Sequence, residues 1–161
     1  MAVDAIELRE VMRLWATGVT VVTSSYAGVQ HGMTVSSFTS VSLDPPLVMV
    51  SLELSSRTHR LVSQAGGFAV AILADDQQAV AERFSGGVPD HEDRFAGFAV
   101  EATPAGLLVP AGCLAWLDCK VAGQHEAGNH SLFIGKVEAA QSMRQRGPLL
   151  YYNRGYRRVA G

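Results

Sequence analysis

Charge is scarce in this chain. Only 17% of its 161 residues are Asp, Glu, Lys or Arg, against about a quarter in ordinary soluble domains. Thirteen basic and 15 acidic side chains leave a formal net charge of −2, which excludes a nucleic-acid partner held by bulk positive charge. Disorder is excluded as well, because 48% of the residues are hydrophobic and such a chain buries a core. Cysteines are few, and Cys113 and Cys119 fit no metal or redox spacing. Their equal parity predicts one strand face for both, as buried free thiols in a reduced compartment. Long apolar runs are missing, and Asp4, Glu7 and Glu10 interrupt the N-terminal segment. Neither a membrane span nor a signal peptide is expected, so the reading is a cytoplasmic protein without a membrane partner. So apolar a chain has too little charge to cover its surface, which points to an oligomer.

Catalytic signatures are missing too. No GxSxG, HExxH, phosphate-binding loop or GxGxxG follows a strand. His59, His91, His125 and His130 do not gather with carboxylates at ligand spacing, so no metal centre is expected. A chain without acid–base machinery suits a reaction whose difficult step belongs to a bound cofactor.

What is present reads as one domain over residues 1–161. Asp4 and Glu7 form a capping box for a helix that places Leu8, Val11, Met12 and Trp15 on one face, with Gly18 as its stop. Strands are expected at 19–24, 32–37, 38–43 and 47–52, with a hairpin turn at 26–30 and a Pro-enforced turn at Asp44-Pro45-Pro46. A helix starts at Ser55-Ser56-Arg57-Thr58 and stops at Gly66-Gly67; a strand follows at 68–72. Asp75 and Gln78 read as a second capping box, opening a helix that runs to Phe84. A polar loop over 88–97 precedes strands at 98–103, 112–123, 131–140 and 148–152. The last three strands follow one another through short turns, which suits hairpins and excludes the crossover helices of a parallel sheet. The fold class is mainly β, an antiparallel barrel with two or three flanking helices.

Small hydroxyl side chains crowd two stretches. Thr34, Ser36, Ser37, Thr39, Ser40 and Ser42 fill one; Ser51, Ser55, Ser56 and Thr58 surround a helix start. Such groups at a helix N-terminus suit a phosphate. They also serve as strand formers and N-caps, and composition alone does not separate the two readings.

The segments Ala16-Thr17-Gly18-Val19-Thr20-Val21-Val22-Thr23 and His31 through Val48 closely resemble the short-chain flavin reductases. These are the reductase components of two-component flavin-dependent monooxygenases. The resemblance continues through Gly67-Phe68-Ala69-Val70, Asp93-Arg94-Phe95, Gly128-Asn129-His130 and Pro148-Leu149-Leu150-Tyr151-Tyr152. It implies an FMN-binding split barrel, an antiparallel Greek-key barrel with flanking helices, which forms a homodimer. It also implies hydride transfer from NADH or NADPH to FMN or FAD, with reduced flavin passing to a separate monooxygenase. By the same resemblance Thr34, Val35, Ser36 and Ser37 line the flavin ring, and Ser51, Leu52, Ser55, Ser56 and Thr58 hold its ribityl and phosphate end. Arg94 is the implied phosphate partner, the alternative being a solvated loop arginine. His130 is the implied catalytic residue that positions nicotinamide, beside Asn129 where the family usually has Asp. Tyr152 either stacks on the flavin or nicotinamide or packs the barrel. A flavin-binding sensor or carrier without turnover is the alternative function.

Overall fold

The computed structural model describes residues 2–143 and 146–160. The Asp4 carboxylate accepts from the Ile6 and Glu7 amides, and Glu7 reaches back to the Asp4 amide, so α1 (Ala5–Met12) starts where its capping box puts it. Then come β1 (Thr17–Gly18), β2 (Thr20–Tyr26), β3 (Val29–Val35), β4 (Phe38–Leu43) and β5 (Pro46–Glu53). Next are α2 (Arg57–Ala65), β6 (Gly67–Ile72), α3 (Gln78–Phe84), β7 (Val100–Ala102) and β8 (Leu108–Pro110). The chain finishes with β9 (Ala115–Ala127), β10 (His130–Ser142), β11 (Leu149–Tyr152) and β12 (Gly155–Arg158). β1, β8 and β12 go beyond the sequence expectation, because two to four residues carry no readable periodicity.

Seven strands form one antiparallel sheet in the order β3-β2-β6-β9-β10-β5-β4. The non-sequential neighbours β2-β6, β6-β9 and β10-β5 give it Greek-key connectivity. Its two edge strands, β3 and β4, are joined by Ser36 and Ser37 alone. A two-residue link lets these ends lie no more than about 11 Å apart, so the sheet curls on itself, with no ladder between β3 and β4 along that seam. This is the mainly β split barrel with flanking helices.

Alternation along β2 and β6 buries both of their faces. Val22, Phe68, Val70, Cys119 and Phe133 turn into the curl, closed by Val62 of α2. Val21, Ala69, Ala71 and Trp116 face outward beneath Phe84 of α3 and Val109 of β8.

Four local expectations need correction. Cys113 precedes β9 and sits in the outer core, whereas Cys119 sits in the inner one, so strand parity does not connect them. Neither is in a disulfide; Cys113 Sγ lies 3.9 Å from Met143 Sδ, and burial pushes the Cys119 thiol up to about 12, which keeps it unreactive. Helix α3 is preceded by Gln77 rather than capped by Asp75. The Gln77 amide bridges the Ala74 N–H and the Ala111 carbonyl, while Asp75 pairs with Arg146. Pro46 joins the ladder as the first residue of β5, where a missing N–H is tolerated. Gly18 belongs to β1, paired with β11, because α1 already ends at Met12 with Arg13 as its C-cap. Among the described residues nothing covers the apolar face of α1 and the turn after it, for Leu8, Val11, Met12 and Trp15 are all exposed.

Candidate functional site

The barrel seam is where cavities gather. One of about 510 Å³ is walled by Trp15, Phe38, Met49 and Ile72, with Ser36, Ser37 and Ser51 at its polar side. Ser36 also borders a cavity of about 370 Å³ that reaches Thr34, Ser85 and Tyr151. Thr34 in turn borders a polar cleft of about 290 Å³ holding His31, Ser55, Ser56, Thr58, Asp90 and Arg94. Shared lining residues thus join an apolar end to a polar end along Thr34–Ser37. Each cavity is near or within the size range of ligand sites, and the polarity gradient suits a flat ring carrying an anionic tail.

The polar end is built by α2 and the loop after α3. Ser56 is the N-cap of α2 and accepts from the His59 amide, which aims the helix start at the cleft. Thr58 is fully buried, and its Oγ1 lies 2.8 Å from His31 Nδ1. Arg94, 7% exposed, donates from Nη1 to the Gly32 and Phe84 carbonyls and from Nη2 to Asp90 Oδ1. Among the described residues two buried side-chain nitrogens have no hydrogen-bond partner: Arg94 Nε and His31 Nε2. Both belong to residues lining this cleft. Leaving buried polar atoms unpaired costs about 1–3 kcal/mol each, so the cleft fits an anionic oxygen-rich group such as a flavin phosphate.

Burial, with the Arg94 charge beside it, lowers the His31 imidazole to about 4 from 6.5, so the ring is neutral at pH 7. The unfolded chain takes up this proton near pH 6.5 and the folded chain only near pH 4. Stability therefore falls as pH drops through that window, by about 2 kcal/mol between pH 7 and pH 5. Urea midpoints at the two pH values measure the loss, and His31→Gln should shrink it; the same loss in the variant would refute the assignment. His59, held against Ser131 Oγ at 2.8 Å, is lowered in the same direction by burial and adds to the slope in both proteins.

Thr34, Ser36, Ser37, Ser51, Ser55, Ser56, Thr58 and Arg94 thus meet along one groove. Val35 and Leu52 turn their side chains into the inner core, leaving only main-chain groups for a ligand. Thr34 Oγ1 is committed to the Ala81 carbonyl, and Ser37 Oγ to the backbone of Ser51. Asn129, His130 and Tyr152 line none of these cavities. Asn129 and His130 sit at the β9–β10 hairpin, with Asn129 Oδ1 2.9 Å from His130 Nδ1 and His130 opposite Glu53 of β5. On β11 it is Tyr151, one residue earlier, that borders the groove, together with Arg154. His31, Asp90, Trp15 and Tyr151 escape the sequence reading. His31 alone leaves a signal, as an imidazole inside a strand with no other ionisable side chain.

The "Flavin reductase like domain" family model matches residues 12–160. The NADH-dependent flavin reductase StyB of Pseudomonas fluorescens is 38% identical over 157 residues, 96% of this chain and 89% of that protein. The reductase subunit HsaB of a flavin-dependent monooxygenase from Rhodococcus jostii is 35% identical over 155 residues, 96% of this chain and 78% of its own length. The solved NADH:FAD oxidoreductase SgcE6 of Streptomyces globisporus superposes with a TM-score of 0.92 at 33% identity, covering 100% of this chain and 98% of that one. A family model spanning nearly the whole sequence and relatives covering both chains agree, and this protein belongs to the flavin reductase-like domain family.

Proposed function

We propose that this protein is an NAD(P)H-dependent flavin reductase that supplies reduced FMN or FAD to a separate monooxygenase. The observation that carries the reading is the polar cleft, with two unpaired buried nitrogens, at the end of an apolar groove. Bound flavin supplies the chemistry by accepting a hydride from the reduced nicotinamide. The chain's own residues bind and orient. Trp15, Met49 and Ile72 wall the ring end. Main-chain groups of Thr34 to Ser37 hold the polar edge of the ring and stabilise negative charge arriving there. Ser51 and Ser55 receive the ribityl chain; Ser56, Thr58, His31 and Arg94 receive the phosphate. No side chain has to remove a proton during the hydride step, so the groove's work is to hold and orient the two rings.

His130 is the proposed nicotinamide-positioning residue, its ring oriented by Asn129. The exposed face of α1 supports a homodimer, which analytical ultracentrifugation reads directly; a monomer at all concentrations would remove that part. Two buried cysteines outside any disulfide suit a cytoplasmic setting, which localisation of a tagged chain tests.

Steady-state oxidation of NADH and NADPH, each with FMN and FAD, tests the activity. Turnover above the buffer rate is expected with at least one pairing. Flavin binding without any nucleotide oxidation would make the protein a carrier instead. His130→Ala should cut turnover with the nucleotide by about 10-fold or more, with flavin affinity nearly unchanged. Equal loss of both would assign His130 to folding or flavin binding.

A further inference from the structure

The Asp90 carboxylate stands at the focus of the polar cleft. Its Oδ1 accepts from Arg94 Nη2 at 2.9 Å and lies 3.7 Å from His31 Nε2. The acceptor and the groups it faces are built differently. The Arg94 and His31 side chains are 8% and 3% exposed, whereas Asp90 is 56% exposed on the loop after α3. Arg57, the first residue of α2, donates from Nη1 to the Asp90 carbonyl at 2.6 Å and tethers that loop over the helix start. The cationic half of the cleft is fixed in the core, and the anionic half arrives from a solvent-facing loop. Burial lowers the Arg94 pKa and Asp90 opposes the shift, so the half-exposed carboxylate offsets part of the cost of the buried guanidinium, beside the two carbonyls that Nη1 reaches.

We infer that Asp90 occupies the phosphate position of the free protein and competes with phosphorylated flavins for it. This rests on the flavin reading above. A planar carboxylate on one side leaves Arg94 Nε and His31 Nε2 unpaired, while a phosphate with three free oxygens can reach donors that a single Oδ1 does not. Both unpaired atoms sit on side chains more than nine-tenths buried, so they mark a ligand position rather than a solvated surface. Glu53 also lines the cleft and adds to the repulsion of any incoming anion. Displacing Asp90 sets its half-exposed loop free at small cost, and its return favours release of the bound phosphate. That suits a protein whose flavin has to leave after each turnover.

The test compares FMN with riboflavin, which lacks the phosphate, by fluorescence titration of wild type, Asp90→Asn and Asp90→Ser. The riboflavin-to-FMN ratio of Kd reads what the phosphate contributes. Removing the competing charge should raise that ratio about three- to tenfold in both variants, with riboflavin affinity unchanged. The gain should shrink in high salt, because the removed repulsion is electrostatic. An unchanged ratio overturns the inference and leaves the flavin reading standing. A lower ratio overturns it too, by making Asp90 the residue that orients Arg94 for phosphate. Failure of the wild type to bind either flavin would overturn both. Thermal melts of the variants, expected within a few degrees of wild type, separate a folding defect from a binding effect.

Discussion

Replacing Arg94 by alanine should weaken FMN binding by roughly 10- to 150-fold, while riboflavin binding changes far less. The magnitude follows from hydrogen bonds to a charged group, worth about 1.5–3 kcal/mol when one partner is lost, at about 1.4 kcal/mol per tenfold. Arg94 Nη1 is already spent on the Gly32 and Phe84 carbonyls, so the unpartnered Nε and the Nη2 now held by Asp90 are the groups left for a phosphate. The same substitution strips two buried carbonyls of their donor and should lower stability by about 2–4 kcal/mol. Arg94→Lys does not repair both faults, because an ammonium on a flexible stem cannot span two carbonyls and a phosphate with a fixed fork. Titration of FMN and riboflavin, run beside thermal melts, separates the two losses. A folded Arg94→Ala protein that binds FMN as tightly as wild type would remove the phosphate role. The opposite sign expected for Asp90→Asn makes the pair a strict check, for a site merely sensitive to disturbance would weaken in both.

Much of this site is legible in the sequence, for a local reason. The hydroxyl stretches and the start of α2 are short-range features, and an N-cap such as Ser56 is written within four residues. The β2–β3 hairpin is equally local: Ala27 and Gly28 both take positive φ, as a two-residue turn demands. What sequence reading misses is set by contacts between distant residues. His31 and Asp90 meet only because β3, α2 and the loop after α3 converge, and none of those junctions leaves a trace in the residues nearby. Tyr151 rather than Tyr152 borders the groove because alternation fixes a face only once the register is known, and β11 takes its register from β1 and β12. Cys113 and Cys119 part company for a related reason, since parity holds only inside one strand and β9 begins at Ala115. The family resemblance supplied the ligand; the orphaned nitrogens in the cleft give that assignment a physical footing.

Gly135→Ala should be the most damaging conservative change in the barrel, although the residue lies outside the groove. A methyl group there would come within 2.6 Å of Phe68 Cζ and 2.8 Å of Cys119 Cβ. Phe68 is fully buried and heads the inner core, and Cys119 Cβ hangs directly from the backbone of β9, so neither neighbour can yield cheaply. β10 carries a register shift between Ile134 and Gly135 at this point, where it passes from opposite Gly123 to opposite Val121 of β9. The missing side chain lets β10 bend over Phe68 while still pairing with Val48 of β5. Overpacking costs about 1–3 kcal/mol, and for a chain of this size each kcal/mol moves Tm by about 2–4 °C. A drop of roughly 2–12 °C is therefore expected, read by thermal denaturation. Since β5 also carries Ser51 to the groove, the strain should reach flavin affinity as well, by a few-fold. The cause is separable from a generic core defect. Phe68→Leu alone should destabilise by leaving a void, but it opens room for the added methyl, so the double variant should be more stable than the sum of the two losses by about 1 kcal/mol or more. Strict additivity would show that the contact with Phe68 is not what excludes a side chain at position 135.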